Sequence, residues 1–69
     1  MRIIINGEAR ELSDGISLSA LVEQLGMKPD RVAIELNRAI VGREAWLQTI
    51  LHEGDTLEIV HFVGGGNNA

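Results

Sequence analysis

Ile3-Ile4-Ile5-Asn6-Gly7-Glu8-Ala9-Arg10-Glu11-Leu12, followed by Ser17-Leu18-Ser19-Ala20-Leu21-Val22-Glu23-Gln24-Leu25-Gly26, decides how this chain folds. The run from Met1 to Ile5 is rich in β-branched residues. Asn6-Gly7 is the dipeptide that best tolerates positive φ at both central positions of a type I′ turn, so Glu8 to Leu12 returns antiparallel and closes a hairpin. Ser13-Asp14-Gly15 breaks the strand. Ser17 is placed to cap a helix, its hydroxyl accepting from a first-turn N–H that has no intrahelical partner. Leu18, Leu21, Val22 and Leu25 recur at i, i+3, i+4 and i+7, and Gly26 stands where a left-handed C-terminal cap belongs. This spacing predicts a helix of about two turns with one apolar stripe, laid on a sheet.

Further along, Arg31-Val32-Ala33-Ile34-Glu35-Leu36 alternates imperfectly, Asn37-Arg38 can turn, and Ala39-Ile40-Val41 can return as a second hairpin. Gly42 to Leu51, with Trp46, Leu47, Ile50 and Leu51, is too short for a helix of its own and reads as a turn or 3₁₀ segment plugging the open end of the core. Glu53-Gly54-Asp55 is a turn. Thr56 to Val63 is the last strand, with Leu57 and Ile59 on one face and Glu58 and Val60 on the other. Two hairpins, one helix and a final strand close a single core if the last strand lies beside the first in parallel, a pairing that the right-handed crossover rule supports. The expected fold class is α+β, the β-grasp or ubiquitin-like topology, with a mixed sheet of four to five strands and one main helix across one face. Ile3, Ile5, Leu18, Leu21, Val22, Leu25, Leu57 and Ile59 form the expected core, each contributing about 1.5 to 3 kcal/mol when fully buried.

The chain has 69 residues and ends in Val63-Gly64-Gly65-Gly66-Asn67-Asn68-Ala69. The expected organisation is one domain over 1–63 and a flexible glycine tail over 64–69. Hydrophobic content of 45% against 23% charged is ordinary globular composition, which argues against disorder. There is no cysteine, so disulfides, thiolate metal sites and a cysteine nucleophile are excluded. Ten acidic residues against six basic ones disfavour a nucleic-acid backbone as partner. No stretch approaches the ~18 apolar residues of a membrane span, and the N-terminus lacks a signal-peptide core, so a cytoplasmic protein is expected.

Few side chains suggest chemistry. His52-Glu53 and Asp55 straddle a turn with no third cluster to complete a metal site. Ser13, Ser17 and Ser19 lack a nearby His/Asp arrangement and read as capping or solvent contacts. Gly64-Gly65-Gly66 is no phosphate loop, because no helix follows it. Trp46 reads as packing. His61 can face a partner or cover the sheet edge. Ile4, Val60 and Phe62 point away from the helix and form an expected docking patch near the tail.

The Asn6-Gly7 hairpin and the Leu-rich helix are joined by Val32-Ala33-Ile34-Glu35-Leu36-Asn37, Ile40-Val41, Arg43-Glu44-Ala45-Trp46, Glu53-Gly54-Asp55 and a strand ending in Gly-Gly. Together, from Met1 to Gly66, they resemble the sulfur carrier family of thiamine biosynthesis (ThiS). Arg43-Glu44-Ala45-Trp46 is the most distinctive part, since a generic ubiquitin-like fold does not call for it. Gly42 stands where that family often carries proline, which should loosen the turn.

The resemblance implies a protein co-substrate rather than an enzyme, with no catalytic residue, metal or cofactor of its own. A ThiF-like adenylating enzyme, which uses ATP, would activate the carboxylate of Gly66. A sulfur donor such as a cysteine desulfurase would supply the sulfur, and the resulting thiocarboxylate would pass it to thiazole synthase. Gly64 and Gly65 would thread the partner's cleft, where the absence of Cβ leaves the acyl carbon accessible. Three residues follow Gly66, so Asn67-Asn68-Ala69 would be removed by a protease or be absent from the native gene. Alternatives are a related carrier, such as the small subunit of molybdopterin synthase or a tRNA-thiolation carrier, and a ubiquitin-like module that binds without covalent chemistry.

Overall fold

A computed structural model describes residues 1–62 of the chain. Val63 and the expected tail over 64–69 lie outside the described residues. Strands β1 (Arg2–Ile5) and β2 (Glu8–Glu11) precede helix α1 (Leu18–Gln24), and β3 (Val32–Leu36), β4 (Ala39–Val41) and β5 (Thr56–His61) follow it. Short 3₁₀ segments occupy Pro29–Arg31 and Arg43–Gln48. The five strands make one sheet in the order β2-β1-β5-β3-β4, in which β1 and β5 run parallel and the other neighbours antiparallel. One helix packs across one side. This is the β-grasp topology.

Local chemistry accounts for the elements. Asn6 (φ 51°) and Gly7 (φ 83°) take the left-handed conformation that a two-residue hairpin with right-twisted strands requires, and Asn37 (φ 50°) and Arg38 (φ 73°) repeat it in the second hairpin. Arginine pays a steric cost there that glycine would not. The Ser17 hydroxyl accepts from the Ala20 N–H at 3.1 Å, capping α1. At the other end Gly26 (φ 74°) donates to Glu23, and Met27 to Val22, which is the paired Schellman closure.

The core collects Ile3, Ile5, Leu18, Leu21, Val22, Leu57 and Ile59 as expected, and adds Leu12, Val32, Ile34, Trp46 and Leu51. Leu25 is only half-buried, packed against the rim of the core rather than within it, because α1 ends one residue earlier at Gln24. The last strand runs to His61, and Val63, where it is expected to end, lies outside the described residues. The 3₁₀ segment at Arg43–Gln48 does plug the open end: Trp46 is buried there and its indole N–H donates to the Val41 carbonyl at 3.0 Å. Leu18 N–H to Thr49 O and Leu51 N–H to Ile16 O then tie the plug to the start of α1. Gly42 has φ −65° and ψ 149°, the backbone that a proline prefers, so its glycine gives up conformational restriction without serving the turn geometry.

Strand β5 lies between β1 and β3, and one side chain extends its hold on β1. The register pairs Ile4 with Thr56 and Ile5 with Leu57, after which the backbone of Asn6 turns away. The Asn6 carboxamide continues the pairing in place of that backbone. Its Oδ1 accepts from the Ile59 N–H at 2.7 Å, and its Nδ2 donates to the Ile59 carbonyl at 3.2 Å. Asn37 acts similarly at the other end of β5, accepting from Thr56 N–H at 2.9 Å and donating to Asp55 at 3.0 Å.

Asn6→Gly keeps the turn conformation and removes both carboxamide bonds. Two net hydrogen bonds of about 0.5 to 1.5 kcal/mol each set the expected loss, so chemical denaturation should show a destabilisation of about 1 to 3 kcal/mol. Unchanged stability would show that the carboxamide does not hold β5.

Candidate functional site

The alternation of the strands sorts the sheet into two faces. Leu57, Ile59 and His61 share the side of the helix, opposite Leu36, Ile34 and Val32 on β3. Thr56, Glu58 and Val60 take the open side, with Val60 opposite Ala33 and Glu58 opposite Glu35. On β4 Ile40 lies opposite Glu35, so it also faces outward. The open side carries most of the apolar area left in solvent near the end of β5: Ile40 is 75% exposed, Val60 54% and Phe62 52%. Ala33, Ile34, Glu35, Ile40, Glu58 and Val60 line a shallow hollow of about 80 Å³ there. The Phe62 N–H donates to the Arg31 carbonyl at 2.7 Å, anchoring the chain where the described residues end.

Of the residues expected to dock a partner, Val60 and Phe62 are exposed as required, whereas Ile4 is half-buried. Ile4 sits on β1, an inner strand flanked by β2 and β5, and its neighbours cover part of it. Ile40 was not among the expected docking residues. Its signal was the two-residue turn at Asn37-Arg38, which sets Leu36 opposite Ala39 and therefore turns Ile40 outward when Ile34 points in. Gly64, Gly65 and Gly66 lie outside the described residues. His61, whose orientation the alternation leaves open between partner and edge, lies on the helix side of the strand and is solvent-exposed.

The remaining polar candidates are engaged in structure. Asp55 accepts from the His52 N–H at 2.8 Å and from the Asn37 carboxamide, and Glu53 accepts from the Arg2 N–H at 2.9 Å. These bonds hold the turn before β5. The Met1 ammonium donates to the Leu12 carbonyl at 2.7 Å and lies 3.2 Å from Asp14. Its hydrogen bond with Asp14 and the nearby carboxylate charges hold its pKa above the ordinary value of an α-amino group, against partial desolvation. Behind the sheet, a groove of about 380 Å³ runs between α1 and the 3₁₀ segments, with Trp46 and Arg43 in its wall. Among the described residues no group of three His, Asp or Glu side chains could hold a metal, and no helix is long and apolar enough to cross a membrane.

The ThiS family model matches residues 3–66. The chain belongs to the ThiS family. The sulfur carrier protein ThiS of Escherichia coli is 33% identical over 66 residues, covering 96% of this chain and all of that protein. A thiazole synthase of Magnetococcus marinus is 41% identical over 68 residues, covering 99% of this chain. The chain spans only 21% of the length of that synthase and of a second one, from Paramagnetospirillum magneticum. Among solved structures, the ThiS thiamine biosynthesis protein of Geobacter metallireducens superposes with a TM-score of 0.82 at 29% identity, over 96% of this chain and all of that one. The ThiS-family match extends beyond the described residues and stops at the third glycine of the run.

Val60→Asp and Phe62→Asp should leave the domain folded. Both side chains stand on the open side, so each should cost about 1 kcal/mol or less, the span of strand propensities. Leu57→Asp places a charge in the core and should abolish the cooperative thermal transition. If Val60→Asp unfolded the domain as Leu57→Asp does, the two faces of β5 would be reversed.

Proposed function

We propose that this chain is a sulfur carrier for the thiazole ring of thiamine and works as a protein co-substrate in the cytoplasm. The observation that carries this reading is the family match, which runs through the glycine run and ends at Gly66. A carboxylate is a poor electrophile. Adenylation by a ThiF-like partner lets a Gly66 carboxylate oxygen attack the α-phosphorus of ATP and release pyrophosphate, leaving an acyl group with AMP as leaving group. The terminal sulfur of a persulfide on a donor such as a cysteine desulfurase then attacks the acyl carbon and displaces AMP. A second thiol cleaves the resulting acyl disulfide, forming a disulfide with the donor cysteine and releasing the thiocarboxylate, which hands its sulfur to thiazole synthase.

Each part of the chain has a separate task in this scheme. Gly64 and Gly65 pass through a narrow cleft, since a residue without Cβ leaves the acyl carbon open to attack. Val60 and Phe62, joined by Ile40, dock the folded body on the partner, and Ile4 contributes at the margin of the patch. Two curated relatives named thiazole synthase contain a segment 41% identical to this chain, which favours thiazole synthase as acceptor over a molybdopterin or tRNA substrate.

Gly66 is followed here by Asn67-Asn68-Ala69, so its carbonyl is held in a peptide bond and cannot be adenylated as a free carboxylate. Protein ending at Gly66 should accept sulfur from purified adenylating enzyme, ATP and sulfur donor, gaining the mass of an oxygen-to-sulfur exchange by intact mass spectrometry. The 69-residue form should gain it only after losing three residues. Thiocarboxylation at Ala69 of the untrimmed chain would remove Gly66 from its role.

Gly65→Ala in the Gly66-ending protein should keep the melting temperature within about 2 to 4 °C of the parent, because the core described above draws on no residue after Ile59 and changes outside a core fall within about ±0.5 kcal/mol. Its rate of adenylation should drop at least about tenfold, equivalent to 1.4 kcal/mol of crowding in the cleft. Transfer as fast as the parent would sink the threading role.

A further inference from the structure

At the centre of the open sheet face stand two carboxylates that no cation within the described protein pairs. Glu35 on β3 and Glu58 on β5 are directly opposed in antiparallel register, so their Cβ atoms lie only about 5 Å apart. Neither takes part in any of the ion pairs among the described residues. Like charges so placed oppose strand pairing. None of the six basic residues pairs with them: Arg2 is opposite Glu11 at the far edge, Arg10 is on the helix side opposite Ile3, Arg38 is in the hairpin turn, Lys28 and Arg31 lie at the two ends of the 3₁₀ segment before β3, and Arg43 lines the groove beside Trp46. The same two carboxylates wall the hollow between Ile40 and Val60.

We propose that this face receives a protein partner whose apolar contact surface carries an arginine at its centre, the guanidinium bridging Glu35 and Glu58. The inference rests on the docking role given above to Val60, Phe62 and Ile40. A surface broad enough to cover Ile40 and Val60 must also cover the glutamates between them. Two carboxylates taken out of water together without a countercharge cost more than the flanking apolar area returns. An arginine answers both at once, because its planar fork presents parallel N–H donors to two acceptors, whereas a lysine offers a point charge. The repulsion kept in the free protein is thus relieved only on docking. It would also turn away partners with an acidic or purely apolar surface, which makes the pair a specificity device.

The test titrates the full chain against the ThiF-like adenylating enzyme by calorimetry at low and high salt, with Glu35→Gln, Glu58→Gln, the double variant and Val60→Asp. Each single glutamine variant should bind at least about tenfold more weakly, as expected when one member of a buried charge pair is removed. The double variant should also lose most of the salt dependence, while melting no lower than the parent because the repulsion is gone. That opposition of stability and affinity is not expected of a merely structural pair. If the double variant binds like the parent while Val60→Asp binds weakly, the arginine proposal is overturned and the docking face stands. If Val60→Asp also binds like the parent, the face itself is misassigned and the proposal falls with it. Sedimentation showing a dimer of the parent chain that the double variant loses would overturn it too, since the occupant would then be a second copy.

Discussion

The parallel pairing of β1 with β5 is the contact on which the rest of this fold depends. It joins the first strand of the chain to the last and sets β5 in the middle of the sheet, between two hairpins that would otherwise be independent. A two-stranded hairpin is marginal in water on its own. Ladder contact between β1 and β5 covers only two residue pairs, supplemented by Ile4 N–H to Asp55 O at 3.0 Å and Asn6 N–H to Leu57 O at 2.8 Å. The Asn6 carboxamide lengthens this short seam by supplying a donor and an acceptor to Ile59 where the main chain has already turned. One residue therefore serves both strands beside β1. Its left-handed backbone closes β1 on β2, and its side chain holds β5.

With the seam in place, burial divides unequally between the faces. The helix and the Trp46 plug cover one side and take up the large aliphatic residues, so the core lies between α1 and the sheet. Nothing in the described part of the chain covers the other side. It keeps Ile40, Val60 and Phe62 in solvent around a pair of glutamates. One face supplies stability, and on the proposed role the other is left for contact with a partner.

Phe62 is tied to Arg31 just past the end of β5, which fixes this residue relative to the apolar patch. On the proposed docking role, a partner seated on Val60 and Ile40 meets Phe62 at a set position.

Much of this was legible in sequence because it is governed by neighbours close in the chain. Asn6-Gly7 fixes a turn, Ser17 and Gly26 bound a helix, and the spacing of Leu18, Leu21 and Val22 chooses its buried side. The alternation of β5 likewise separates Leu57 and Ile59 from Glu58 and Val60 before any fold is known. Other features depend on which strands become neighbours. Leu25 has the apolar period of the stripe but lies past the last helical turn, at the rim. Ile4 alternates outward like Val60, yet it has a strand on each side, with Ala9 and Thr56 opposite it, whereas Val60 lies past the end of β1. Glu35 and Glu58 are unremarkable in sequence, and only the insertion of β5 beside β3 sets them face to face. Local backbone preference and side-chain period act over a few residues and can be read directly; exposure and charge proximity are properties of strand order, which the tertiary structure alone decides.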